Sequence, residues 1–105
     1  MSGELGFQEK HSEDSVVVYL SGELDIYTAG KFKEKIYAVA DFIEADLIID
    51  CKELNYIDST GLGIFVGTLK RLKQRNRKIY LSNLKENIKK LFMITELDKV
   101  FNIKE

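Results

Sequence analysis

Apolar residues recur along this chain with two periods, one suited to strands and one to helices. "LGFQEKH" (Leu5 to His11) alternates loosely and predicts an edge strand, and the polar "SED" after it suits a hairpin turn. "SVVVYLSG" (Ser15 to Gly22) is β-branched and continuously apolar, the pattern of a strand covered on both faces. Phe32, Ile36, Val39 and Ile43 fall 4, 3 and 4 apart, which predicts a helix from about Thr28 to Ile43. "DLIIDC" (Asp46 to Cys51) reads as a second buried strand. From Gly61 the helical period returns, with Leu62, Phe65, Leu69 and Leu72 at intervals of 3, 4 and 3. "KIYLSN" (Lys78 to Asn83) is a third interior strand, after which Asn83 and Glu86 have the spacing of a capping box. Ile88, Leu91 and Phe92 give the last helix its apolar side, and "KVFNI" (Lys99 to Ile103) suits a short final strand. The order ββαβαβα, closed by a final β, implies right-handed parallel crossovers and an α/β layer with a largely parallel centre.

Composition narrows the class. A chain of 105 residues suits one domain spanning 1–105. With 45% apolar and 31% charged residues it has the make-up of a folded globular protein rather than a disordered one. Sixteen basic residues against seventeen acidic ones leave a formal charge of -1, so no whole-chain field draws it to nucleic acid or to an anionic membrane. Cys51 is the only cysteine and cannot form an internal disulfide, which favours a reducing compartment. "MSGELGFQEKHSED" lacks the apolar core of a signal peptide, and no apolar run reaches the length of a membrane span. A cytoplasmic location is expected.

The densest chemistry lies in "IDSTGLGIF" (Ile57 to Phe65), where an acid, two hydroxyls and two glycines stand between apolar residues. If a strand ends near Leu54 and a helix starts near Thr60, Asp58 and Ser59 sit at the carboxyl edge of the sheet, where sites gather. Either residue can cap the helix, and a capped entry needs no further role. The same place also suits an anion, including a phosphate on Ser59, because the first turn has unpaired N–H groups and a positive dipole end. Gly61 and Gly63 each cost a helix roughly 1 kcal/mol relative to Ala, so packing or access for a partner must offset them. Here they would keep the surface bare for another molecule.

Other chemistry fits poorly. Glycines at 61, 63 and 67 do not match a dinucleotide fingerprint, and no Gly-Lys-Ser/Thr phosphate loop is present. Ser59 has no partner base in sequence, since the one histidine, His11, lies in the first strand or its turn, and "DSTGLG" is not a nucleophile elbow. The chain is therefore not expected to be an enzyme. The basic run Lys70, Arg71, Lys73, Arg75, Arg77 and Lys78 complements a helix C-terminus better than it forms a nucleic-acid patch. Cys51, Phe92 and Met93 read as core. Ile64, off the main stripe, either faces a partner or packs on a neighbouring helix. No cluster has metal-ligand spacing, and no cofactor is expected.

"YIDSTGLGIFVG" closely resembles the signature of STAS domains of the bacterial anti-sigma factor antagonist type. "SGELDIYTAGKF" resembles that family's link from the second strand to the first long helix, and "NLKENIKKLFMITELDKVF" resembles its C-terminal part. The three segments come in the family's order and cover nearly the whole chain. The resemblance implies a STAS-like mixed β-sheet of four to five strands, with helices packed mainly on one side. It also implies partner switching. The unphosphorylated antagonist binds an anti-sigma factor that is also a serine kinase, releasing the sigma factor, until phosphorylation ends the binding and a serine phosphatase resets it. Ser59 would be the phosphoacceptor, with Asp25, Asp58, Thr60, Gly61, Leu62, Gly63 and Ile64 in partner binding. STAS-like domains also serve as scaffold components of signalling assemblies or parts of transport systems, and some have been proposed to bind nucleotides.

Overall fold

The computed structural model describes residues 4–104. Strands β1 (Leu5–His11) and β2 (Ser15–Leu24) form a hairpin, and helix α1 (Ala29–Phe42) leads to β3 (Asp46–Ile57). Helix α2 (Ser59–Gln74), strand β4 (Ile79–Ser82), helix α3 (Glu86–Ile94), a 3-10 turn (Leu97–Lys99) and β5 (Asn102–Lys104) complete the order. The sheet runs β1-β2-β3-β4-β5; the hairpin is antiparallel and every later pair is parallel. Because each crossover steps the same way along the sheet, right-handed connections lay all three helices on one face. The α/β mixed sheet with a parallel centre, expected from the element order, is the observed one.

Burial follows that one-sided arrangement. Val16, Val18 and Leu20 of β2, Leu47, Ile49 and Cys51 of β3, and Ile79 and Leu81 of β4 are buried under the helices. Five phenylalanines run through the layer. Phe32 of α1 stacks on Phe65 of α2 at 5.8 Å, and Phe65 meets Phe92 of α3 at 6.0 Å and Phe101 at 6.4 Å. Phe7 of β1 extends the row to Phe32 at 6.1 Å. Such offset and edge-on ring pairs add to the area that the rings remove from water. Phe65 is the hub, touching rings from both other helices.

Several expectations are corrected here. β2 is not covered on both faces, since Tyr19 is 41% exposed between buried neighbours. β3 continues six residues past Cys51 to Ile57, paired only with β2 beyond Asp50. Asn83 does not cap α3. It takes a left-handed turn conformation (φ 59°) and donates its amide to Asp50 at 3.2 Å, while Lys85 occupies the N-cap position. The final strand begins at Asn102, because Lys99 belongs to the 3-10 turn and Phe101 plugs the core. Met93, expected in the core, is left 54% exposed. The basic run does place Arg71 and Lys73 in the last turn of α2, as expected, and three of its members also tie this end to the end of α1. Arg71 pairs with Asp41 at 2.7 Å, and Arg75 and Arg77 both reach Glu44 at 3.2 Å. No helix among the described residues is long and apolar enough to cross a membrane.

Removing the hub ring should be costly. Phe65→Ala is expected to lower the unfolding free energy by about 3–5 kcal/mol, read as a shift of the urea midpoint at constant slope. Burial, and secondly the neighbouring charge of Asp50, push the Cys51 thiol up from its ordinary 9.0 to about 12. The unfolded chain loses this proton first, so stability is full below pH 9.0 and falls as pH rises toward about 12. Urea titrations across that window should show a steeper decline for the native chain than for Cys51→Ala.

Candidate functional site

β2 and β3 end side by side, with Leu24 opposite Ile57 in the parallel register. Two segments therefore leave the sheet together at its carboxyl edge: the loop from Asp25 to Thr28, and the entry to α2 at Asp58. Each is fixed by an aspartate.

Asp58 is the N-cap of α2. Its backbone is extended (φ -114°, ψ -172°), and its side chain accepts the Gly61 N–H at 3.2 Å. Its own carbonyl accepts the Leu62 N–H at 2.9 Å, the first bond of the helix. This is the N-cap to N3 geometry that short acidic and hydroxyl side chains favour. Ser59 and Thr60 then hold the first two helical positions, and both are exposed. The Ser59 hydroxyl engages no group among the described residues, so it stands open to solvent at the positive end of a 16-residue helix.

The two glycines divide the work that sequence had assigned to both. Gly61 is buried, and a Cβ there would lie 2.7 Å from Ile57 Cγ1 and 2.8 Å from Leu24 Cγ. It lets the helix settle on the strand ends and offers no surface to a partner. Gly63 is exposed, with open space where its side chain would be. Ser59 and Gly63 are four apart and Thr60 and Gly63 three apart, so the three share one outward face. Leu62 (6% exposed) and Ile64 (7%) point into the core, which assigns Ile64 to packing rather than to the surface.

Asp25 is also buried, at 9%. One carboxylate oxygen accepts the N–H groups of Tyr27 and Thr28 at 2.9 and 3.1 Å. The Thr28 hydroxyl accepts the Asp25 N–H at 3.0 Å and donates to the Glu23 carbonyl at 2.8 Å. Asp25 thus shapes the loop through its carboxylate. The loop presents Ile26 and Tyr27, 71% and 79% exposed, and the end of β3 adds Tyr56 at 47%. Sequence reasoning missed these three. The signal was two large apolar residues at a strand-to-helix link, where polar turn residues are usual.

The exposed hydroxyls of this helical face are thus accompanied by exposed aromatic and aliphatic side chains from the two neighbouring segments. Among the described residues no histidine, cysteine or further acid converges on Ser59 as a base would have to; His11 lies at the far end of β1, paired with Glu9 at 2.9 Å.

Comparison with known proteins gives a consistent picture. Residues 7–105 match the family model described as the STAS domain. The anti-sigma-B factor antagonist of Bacillus subtilis is 42% identical over 94 residues, covering 90% of this chain and 85% of the relative. That of Listeria monocytogenes is 41% identical over 98 residues, covering 91% and 84%. In structure, the chain resembles the anti-sigma factor antagonist SpoIIAA in its unphosphorylated form, with a TM-score of 0.74 and 22% identity over 95% of this chain and 88% of that one. The Bacillus SpoIIAA in its phosphorylated form is alike at 0.74 and 24%, covering 95% and 92%.

The unequal glycines lead to a direct contrast. Gly61→Ala should lower the thermal midpoint by several degrees, because Leu24 and Ile57 have nowhere to move, whereas Gly63→Ala should match or slightly exceed the wild type. Differential scanning calorimetry of the two variants measures this.

Proposed function

The chain belongs to the STAS domain family, and from that membership we propose that it is an anti-sigma factor antagonist switched by phosphorylation of Ser59. In the unmodified state the Ser59–Thr60–Gly63 face, with Ile26, Tyr27 and Tyr56 around it, docks an anti-sigma factor and so frees a sigma factor. The same anti-sigma factor acts as a serine kinase on Ser59, and a separate serine phosphatase restores the free hydroxyl. The chain is a substrate and a binding surface in this cycle, not a catalyst, and the cycle runs in the cytoplasm. Ser59 is the phosphoacceptor. Asp58 and Asp25 hold the two segments in place; Gly61, Leu62 and Ile64 seat the helix; Thr60 and Gly63 meet the partner.

The observation that carries this reading is the exposed, unengaged hydroxyl of Ser59 at the first position of a side-chain-capped helix. The energetics favour ejection without unfolding. A phosphoserine carries about -1.5 to -2 charges and three acceptor oxygens. In the free chain it gains about 0.3–1 kcal/mol from the helix N-terminus. Under a docked partner it must shed water, which costs several kcal/mol for an unpaired ion. The second effect is the larger, so the modification stabilises the free state and destabilises the complex. A net loss of about 3 kcal/mol already weakens affinity more than a hundredfold. The same names on two relatives about 40% identical, and a fold neighbour determined in both phosphorylation states, support the reading.

Incubation with candidate anti-sigma factor kinases and ATP, followed by mass mapping, should place one phosphate on Ser59. Ser59→Asp should bind the anti-sigma factor at least about 100-fold more weakly than wild type with an unchanged circular dichroism spectrum, as isothermal calorimetry would show. Phosphate on Thr60 with Ser59 untouched would overturn the assignment. Wild-type affinity in Ser59→Asp would overturn the switch.

A further inference from the structure

β1 is an outer strand of the sheet, and its far edge faces no other strand among the described residues. The bonds that close its hairpin show which residues serve that edge. Ser12 donates its N–H to the Ser15 carbonyl at 2.9 Å, and Glu23 donates to the Glu4 carbonyl at 3.2 Å. In an antiparallel ladder the residues that exchange such bonds alternate. The register is unbroken from Leu5 opposite Gly22 to His11 opposite Val16, so Gly6, Gln8 and Lys10 bond to β2. Leu5, Phe7, Glu9 and His11 therefore point their N–H and C=O groups outward. β1 is seven residues long, with no bulge and no proline, so apart from its charges it lacks the devices that usually blunt an edge. β5, at the opposite edge, pairs over three residues.

Phe7, Glu9 and His11 also line a groove of about 640 Å³ between β1 and α1. Lys35, Val39 and Phe42 form its other wall, and Phe42 is 79% exposed. Past Leu5 a second hollow reaches Lys31. α1 runs alongside β1 in the same direction, with Lys31 level with Leu5 and Phe42 toward His11. Lys35 is level with Phe7, its ammonium 5.6 Å from the centre of that ring. Cations thus gather toward one end, where Glu4 is the acid that lines the hollow. Acids gather toward the other, with Glu9 followed by Glu13 and Asp14 in the turn. Glu9 bonds His11 through one oxygen, Oε1, which leaves Oε2 for a further cation. An edge polarised in this way is complemented by an antiparallel copy of itself.

We propose that β1 pairs with β1 of a second copy across a twofold axis, joining two five-stranded sheets into one. Backbone and charge select the register. The axis falls at Gln8, so that Leu5 faces His11 and Phe7 faces Glu9, each twice. Sliding the copies by two residues in either direction loses one of these bonded pairs, and in one direction sets Glu9 against Glu9. With the axis at Gln8, Glu9 of each copy comes to Lys35 of the other, Lys31 meets the other copy's acidic turn, and Phe42 comes beside the other copy's Leu5. Lys10 faces Gly6 on the side without helices, so no like charges oppose. Every feature is used twice, as an isologous contact requires. The edge is about 24 Å long at strand spacing. Taken over the 21 Å smallest dimension of the molecule it buries about 500 Å² per copy, less than the roughly 800 Å² of a standard interface. The pair is therefore weak and exchanging, with a dissociation constant of about 100 µM. It stands apart from the antagonist reading: α1 lies between this edge and α2, so Ser59 stays open in both copies.

Sedimentation equilibrium and amide spectra of the labelled chain, from about 20 µM to about 1 mM, test this. A monomer–dimer equilibrium is expected, with shifts confined to β1 and to Lys31, Lys35 and Phe42. In a mixture of labelled and unlabelled chain, filtered cross-peaks should join the Hα atoms of Gly6 and Lys10, which face each other across the axis as a non-bonded pair. Glu9→Pro removes an outward N–H and no bond to β2, so it should leave a folded monomer that no longer pairs. Glu9→Lys should weaken the dimer about tenfold, and Glu9→Lys/Lys35→Glu should return it to within about twofold of wild type. A single species throughout the series would overturn the proposal and leave the edge to a strand of another protein. Shifts at Tyr19 and Tyr80 in place of β1, missing Gly6–Lys10 cross-peaks, or no recovery in the charge swap would overturn it as well.

Discussion

The first turn of α2 rests on the last residues of two parallel strands, and the exposed edge around Ser59 takes its shape from that contact. Leu24 and Ile57 come to the same level in the sheet, and only a residue without a side chain lets the helix lie against both. Gly61 is that residue, and its N–H is also the one that Asp58 caps. Apolar contact and hydrogen bond therefore act on the same position, one from below and one from the chain behind. With 61, 62, 64 and 65 turned inward, the helical period leaves 59, 60 and 63 outward. The exposure of Ser59 follows from how its neighbours are buried.

The second aspartate does comparable work one strand away. Asp25 spends its carboxylate on the backbone of Tyr27 and Thr28, and so holds Ile26 and Tyr27 out in water. Large apolar side chains in such a position are unfavourable for the isolated chain. The edge thus combines a small exposed hydroxyl with a rim of exposed aromatic and aliphatic side chains.

How much of this could be read in sequence depends on the kind of signal. The helices were legible because Phe32, Ile36 and Val39, and again Leu62, Phe65, Leu69 and Leu72, keep the helical period without interruption. Coverage of the sheet was harder. Val17 and Ile48 are β-branched although they lie on the face without helices, since neighbouring strands alone half-cover them. Apolarity in a strand therefore did not distinguish one covered face from two. Asn83 looked like a cap because caps and left-handed turns draw on the same residues, and only its positive φ separates them. Ser59 and Asp58 were legible from the junction they occupy. The different fates of Gly61 and Gly63 were not, because spacing does not record how deeply a helix sits on its sheet. Ile26 and Tyr27 escaped notice because nothing periodic marks a loop.

Beneath the docking edge, Phe65 ties α2 to the rings of Phe32, Phe92 and Phe101, and the layer is closed without a buried unsatisfied side chain among the described residues. Through these rings the helix is anchored to elements on both sides of it. In the switch proposed above, signal transmission requires no hinge, and the last stimulus would be recorded in a single covalent ester. In that switch the lifetime of the record would be set by the proposed kinase and phosphatase, while the fold itself keeps no clock.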